Sequence, residues 1–149
     1  MERLAKTDTV REVMAGSEAI TTSSKPAKVA VWVQGAMERL DQLVDEETRN
    51  RIMNHCGANC AAAHQEVVRR AKNRRRKAGN LEAFLAEEER SPPAGTRVQR
   101  QGEVWFQYYT PHNYSRPMRC FCSLMGGLPE GQTVSATFCQ CSVGFVRAY

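Results

Sequence analysis

Six cysteines stand in three close pairs, Cys56/Cys60, Cys120/Cys122 and Cys139/Cys141, and none falls outside a pair. Thiolates bind zinc, build iron–sulfur clusters, attack electrophiles or join one another, so spacing decides which chemistry is open to them. A helix through the first pair and extended chain through the other two would turn both sulfurs of each pair to one side. Residues i,i+4 on a helix and i,i+2 on a strand share a face. Four thiolates complete a tetrahedral zinc site or hold a cluster. Two Cys-x-Cys pairs on neighbouring strands supply that number, which makes Cys120, Cys122, Cys139 and Cys141 the primary metal-ligand candidates. Cys56 and Cys60 form a second tier, replacing one pair or standing apart as a redox pair. Cys-x-Cys is not the two-residue knuckle of ordinary zinc ribbons, and two other readings stay open. Thiols are often buried as small hydrophobes or remain capable of forming disulfides, and one could serve as a catalytic nucleophile.

A catalytic thiol needs a base. His55 adjoins Cys56, but successive helical residues point about 100° apart, so adjacency does not pair them. His112, in Pro111-His112-Asn113, lies in a loop near Cys120 and is the better placed. His64 follows Cys60 by four residues and either joins that pair as a ligand or faces solvent. No residue is nominated as catalytic. The net charge of +5 belongs to one block: Arg69, Arg70, Lys72, Arg74, Arg75, Arg76 and Lys77 occur without an acid, while the rest of the chain has fourteen bases against sixteen acids. Such a run can grip the phosphates of nucleic acid. It sits toward a helix C-terminus, where the dipole favours cations, and no aromatics are interleaved to stack on bases. A solvated helix end is the plainer reading, and nucleic acid is kept only as an alternative partner. Trp105, Phe106, Tyr108, Tyr109 and Tyr114 read as strand core more simply than as a ligand pocket.

The elements that must position these residues change in period along the chain. Residues 1–26 end in Thr21-Thr22-Ser23-Ser24-Lys25-Pro26 and read as a partly flexible leading segment with a helix entrance. Val29, Val33, Met37, Leu40 and Val44 then recur at three and four residues, the mark of an amphipathic helix of about four to five turns. Asp45 reads as the N-cap of a second helix with Ile52, Met53 and Cys56 on its buried side. Gly57 either closes that helix in a left-handed conformation or is passed straight through. Asn80 caps a short helix that stops before Ser91-Pro92-Pro93. After the prolines the period becomes two. A strand around Thr96–Arg100 turns at Gln101-Gly102-Glu103 into Val104–Tyr109. Met118–Ser123 and Thr133–Cys141 are the remaining strand candidates, across the loop chemistry of Gly126–Gly131.

The predicted fold class is therefore α+β: helices over 27–90 packed on an antiparallel sheet of about four strands within 96–149, all in one domain over 27–149. The 149 residues suit one core. The mixed charges of Met1–Asp8 do not make a secretory signal, and the longest aliphatic run, Val29–Val33, is too short for a bilayer. A cytoplasmic location is expected, where structural disulfides are disfavoured. Gly144-Phe145-Val146-Arg147-Ala148-Tyr149 resembles a helix just begun, so the natural chain is expected to continue.

The segments Ile52-Met53-Asn54-His55-Cys56-Gly57-Ala58-Asn59-Cys60, Cys120-Phe121-Cys122 and Phe138-Cys139-Gln140-Cys141-Ser142-Val143-Gly144-Phe145 together resemble an uncharacterised bacterial and archaeal family of cysteine-rich proteins, from about Val29 onward. The resemblance implies that the chain continues past the last segment through a C-terminal helix, a strand and a further cysteine. The segment Cys141 to Tyr149 is also remotely similar to the vinyl-reductase-like domain, a small-molecule-binding α+β module of aromatic-compound sensors and pigment-synthesis proteins. Some of those sensors hold zinc through a cysteine ahead of the corresponding helix. The resemblance thus nominates Cys141, with Cys139 as its alternative, for a first ligand, and transfers nothing to Cys56, Cys60, Cys120 or Cys122. The sensor domain has no matching Cys-x-Cys pairs, so its pocket is not carried across. The expected function is metal-linked binding or sensing of a small molecule, with zinc or an iron–sulfur cluster as cofactor. A thiol-dependent hydrolase or reductase is the rival, and a nucleic-acid-associated protein acting through residues 69–77 comes third.

Overall fold

The computed structural model describes residues 6–92, 96–109 and 122–148. Its described residues form six α-helices: α1 Thr7–Val13, α2 Pro26–Leu43, α3 Glu46–Ala63, α4 Gln65–Ala78, α5 Leu81–Arg90 and α6 Cys141–Val146. Strands β1 Thr96–Gln101 and β2 Val104–Tyr109 make the one sheet seen among them. The chain divides into two compact units, residues 1–65 with 122–149 and residues 66–121.

In the first unit the expected amphipathic helix is α2, 18 residues or about five turns. Pro26 occupies its first turn, where a missing N–H costs nothing, and Ala30, Val33, Ala36 and Leu40 form its buried stripe. The leading segment docks on it. Val13 at the end of α1 is only 1% exposed. Trp32 Nε1 donates to the carbonyl of Ala15 at 3.1 Å, and Arg39 donates to the carbonyl of Val13 through Nε and Nη2 at 3.2 and 3.0 Å. Asp45 caps α3 as expected: its Oδ1 accepts from the Thr48 N–H at 2.9 Å. Of the two alternatives at Gly57, the helix runs straight through.

The second unit holds α4, α5 and the β1–β2 hairpin. Asn80 Oδ1 accepts from the Ala83 N–H at 2.8 Å and starts α5, which ends before Pro92. The antiparallel register pairs Gln101 with Val104 and leaves Gly102-Glu103 as a two-residue turn. Gly102 takes a φ of 62°, a left-handed conformation that glycine adopts without steric cost. Helix α5 packs against β1, with Phe84 and Val98 buried.

The four-stranded sheet is corrected to this single pair among the described residues. Of the strand candidate Met118–Ser123, residues 118–121 lie outside the described residues and Ser123 begins a 3₁₀ turn, Ser123–Met125. The candidate Thr133–Cys141 is not a strand. Ser135 accepts a bond from the Thr137 N–H at 3.1 Å and starts the 3₁₀ helix Ala136–Gln140, which passes into α6 at Cys141. A side-chain cap here outweighs the β-branched pair Thr133 and Val134.

Candidate functional site

The site grows from one helix crossing. Helix α3 carries Cys56, Gly57 and Cys60, and it packs on α6, whose first residue is Cys141. The two backbones touch where each helix has a glycine. A Cβ on Gly57 would lie 1.8 Å from the carbonyl oxygen of Cys141, and one on Gly144 would lie 1.9 Å from the carbonyl oxygen of Asn54. Neither approach is open to any other residue without moving backbone. The crossing therefore fixes the Cys141 main chain beside the turn of α3 that runs from Cys56 to Cys60. The Cys141 main chain, about eighty positions further along the sequence, thus lies against the α3 turn that bears the first pair.

A polar latch holds the segment that enters α6. Thr137 Oγ1 donates to Asp41 Oδ1 on α2 at 2.6 Å, and Arg49 Nε lies 3.4 Å from the same oxygen, an ion pair without hydrogen-bond alignment. Arg49 Nη1 also donates to the Asp41 carbonyl at 2.7 Å. Burial acts to raise the Asp41 pKa, but hydrogen bonds from Ser135 and Thr137 and the Arg49 charge outweigh it and hold the carboxyl below its usual range.

The predicted ligands are distributed as follows. Cys56 and Cys60 lie one turn apart on an exposed edge of α3 and form no disulfide. Although part of Cys56 reaches solvent, desolvation by the surrounding protein pushes its thiol pKa up, so it is held as a thiol near neutral pH. Cys139 is exposed on the 3₁₀ helix and Cys141 half-buried at the head of α6. The shared-face geometry expected for this pair is corrected, because i,i+2 residues on a helix point to roughly opposite sides. Cys122 is half-buried just ahead of the Ser123–Met125 turn, while Cys120 and His112 lie outside the described residues. Among the described residues no three His, Cys, Asp or Glu side chains stand close enough together to hold a metal ion.

The basic run lies on α4, and most of it is engaged locally. Arg69 and Arg70 both pair with Glu66, at 2.7 and 3.0 Å, and Arg74 Nε pairs with Glu88 at 2.9 Å. Arg76 Nη2 donates to Asn73 Oδ1 at 3.4 Å. Glu88 is buried, and its pair with Arg74 ties α4 to α5 rather than offering a free cation. No described helix is long and apolar enough to cross a membrane.

Sequence reasoning missed the part played by the two glycines. Gly57 reads as a possible helix end and Gly144 as the start of a helix just begun, yet both are contact points. The available signal was their setting, since each stands beside or within a cysteine motif, Cys56-Gly57 and Cys141-Ser142-Val143-Gly144.

Among the described residues this chain combines six helices with a two-stranded hairpin, and α3 meets α6 at two glycines. It belongs to the family of unknown function DUF6144, whose match spans residues 1–149. No curated protein and no solved structure matches the chain.

Proposed function

We propose that this chain is a thiolate metal-binding domain, taking zinc or an iron–sulfur cluster, that also binds a small molecule. The observation that supports the reading is the approach of Gly57 to the Cys141 carbonyl, which brings the Cys141 main chain against the α3 turn bearing Cys56 and Cys60. A structural site needs four thiolates, and Cys56, Cys60 and Cys141 are the three we assign to it first. Closing a four-thiolate site takes rotamer changes at the crossing and a further donor from Cys139, Cys122 or Cys120. The small-molecule half rests on the likeness of Cys141–Tyr149 to the vinyl-reductase-like domain.

A raised Cys56 pKa supports metal binding over a Cys56 nucleophile, because nucleophilic cysteines sit where the thiolate is favoured, whereas a metal supplies the charge that drives deprotonation. Anaerobic purification without chelator, followed by elemental analysis and native mass spectrometry, tests the proposal. Stoichiometric zinc or iron is expected, lost in Cys56→Ser/Cys60→Ser and in Cys139→Ser/Cys141→Ser. Six titratable thiols with no metal overturn it, and one cysteine alkylated far faster than the rest then favours the thiol enzyme.

A further inference from the structure

One face of α3 carries Glu47, Asn50, Arg51, Asn54 and His55, at the i,i+3,i+4,i+7,i+8 spacing that lines up along a helix. With Arg147, just past the end of α6, they surround an open depression of about 480 Å³. The arginines distinguish this place from the rest of its unit. Among the described residues of that unit, Arg11 pairs with Asp8, Arg39 donates to the carbonyls of Val13 and Ala15, and Arg49 pairs with Asp41. Arg51 and Arg147 line the depression, and neither guanidinium makes an ion pair or hydrogen bond to a described residue. Glu47 stands four residues before Arg51, the order that favours a helical ion pair, and no pair forms. His55 adds an imidazole, a further hydrogen-bonding side chain on the lining. At the floor, Asn54 Nδ2 donates to the Asn50 carbonyl at 2.6 Å, while its Oδ1 is buried without a hydrogen-bond partner.

Two guanidinium groups on one depression, with Glu47 as the one carboxylate on its lining and paired with neither, leave a net positive lining that an anion neutralises. From this geometry we infer that the depression binds a small phosphate monoester. Guanidinium forks match phosphate oxygens in bidentate fashion, and Arg51 and Arg147 together balance a dianion. The volume exceeds a phosphate group, leaving room for a polar carrier. Glu47, exposed on the lining, is an acceptor for hydroxyl or ammonium donors on that carrier. The Glu47 carboxylate repels a continuous polyanion, which separates this ligand class from nucleic acid. The inference deepens the small-molecule half of the reading above and does not require the metal.

Isothermal titration of the full chain with glycerol phosphate, and with glycerol as the uncharged control, tests it at low ionic strength, before and after chelation. Saturable binding of glycerol phosphate only is expected, weakened about tenfold or more in Arg51→Gln and in Arg147→Gln. Arg51→Lys, which keeps the charge and loses the fork, should fall between. Arg11→Gln should match the wild type. Both target arginines are exposed and unpaired among the described residues, so circular dichroism should show all variants folded. Absence of saturable binding, or equal affinity in the wild type, Arg51→Gln and Arg147→Gln, overturns the inference. Binding that survives chelation supports it even where no metal is found, whereas binding that appears only with metal bound places the phosphate on the metal and overturns it.

Discussion

Replacing Gly57 or Gly144 by alanine should separate α3 from α6, although alanine is the better helix former. At most exposed helical positions the change from glycine gains about 1 kcal/mol. Here the new Cβ would lie 1.8 Å from the Cys141 carbonyl oxygen in the first case and 1.9 Å from that of Asn54 in the second. Ordinary contact lies near 3.5 Å, so the helices must part by on the order of 1.5 Å, and a carbonyl cannot rotate aside as a side chain can. Overpacking of this kind costs roughly 1–3 kcal/mol, and more where backbone must move, so a net loss of about 2 kcal/mol is expected for each variant. Gly35→Ala in α2 is the internal control. Its Cβ would meet only Arg39 Nη1, at 3.2 Å, the far end of a flexible side chain, so helix propensity should prevail and stability should rise by up to about 1 kcal/mol. The assay is urea unfolding followed by Trp32 fluorescence in a Trp105→Phe background, which leaves Trp32 as the lone tryptophan and a reporter of its own unit. With a slope of about 1–3 kcal/mol per molar urea, the midpoint should drop by about 1 M. Gly57→Ala and Gly144→Ala unfolding at or above the wild-type midpoint would refute the crossing, as would an equal loss in Gly35→Ala.

Asp41 couples the cysteine segment to pH. Its folded pKa is depressed, so its contribution to stability is present above the unfolded value and is lost as pH falls below about 4; Asp41→Asn should flatten this acid limb of the unfolding midpoint, and an unchanged limb would contradict the latch. In the second unit, Arg74→Ala should cost more than Glu88→Ala, about 2–3 kcal/mol against about 1. The first leaves a carboxylate with a 9% exposed side chain unpaired, whereas the second leaves a guanidinium that is 47% exposed and free to resolvate. Hydrogen exchange over α4 and α5 measures the difference, and the reverse order would be inconsistent with a buried Glu88.

The legible parts of the chain were those whose signals are local. The apolar period of α2, the caps Asp45 and Asn80, and the turn at Gly102-Glu103 each act within a few residues, and each stands in the fold where the sequence puts it. The carboxyl-terminal cysteine segment was not legible, because Thr133-Val134 reads as extended chain while the Ser135 cap commits the following residues to a 3₁₀ turn. Helix α3 hid its partner for a related reason. Its contact face includes Gly57 and Ala61, small residues that let backbones approach and add little to an apolar stripe. A periodicity search weighs side-chain bulk, so it passes over an interface made by the absence of side chains. The six cysteines were visible from the outset, but the approach of the Cys141 main chain to the Cys56–Cys60 turn depends on that interface.

Cobalt(II) titration of the full chain under anaerobic reducing conditions tests the thiolate centre most directly, because sulfur-to-cobalt charge transfer and tetrahedral ligand-field bands report donor type and geometry together. The account predicts one equivalent bound with both signatures, displaced by zinc and abolished in Cys60→Ser/Cys141→Ser. Octahedral, pink cobalt with no charge-transfer band, or a spectrum unchanged in that double variant, would contradict it.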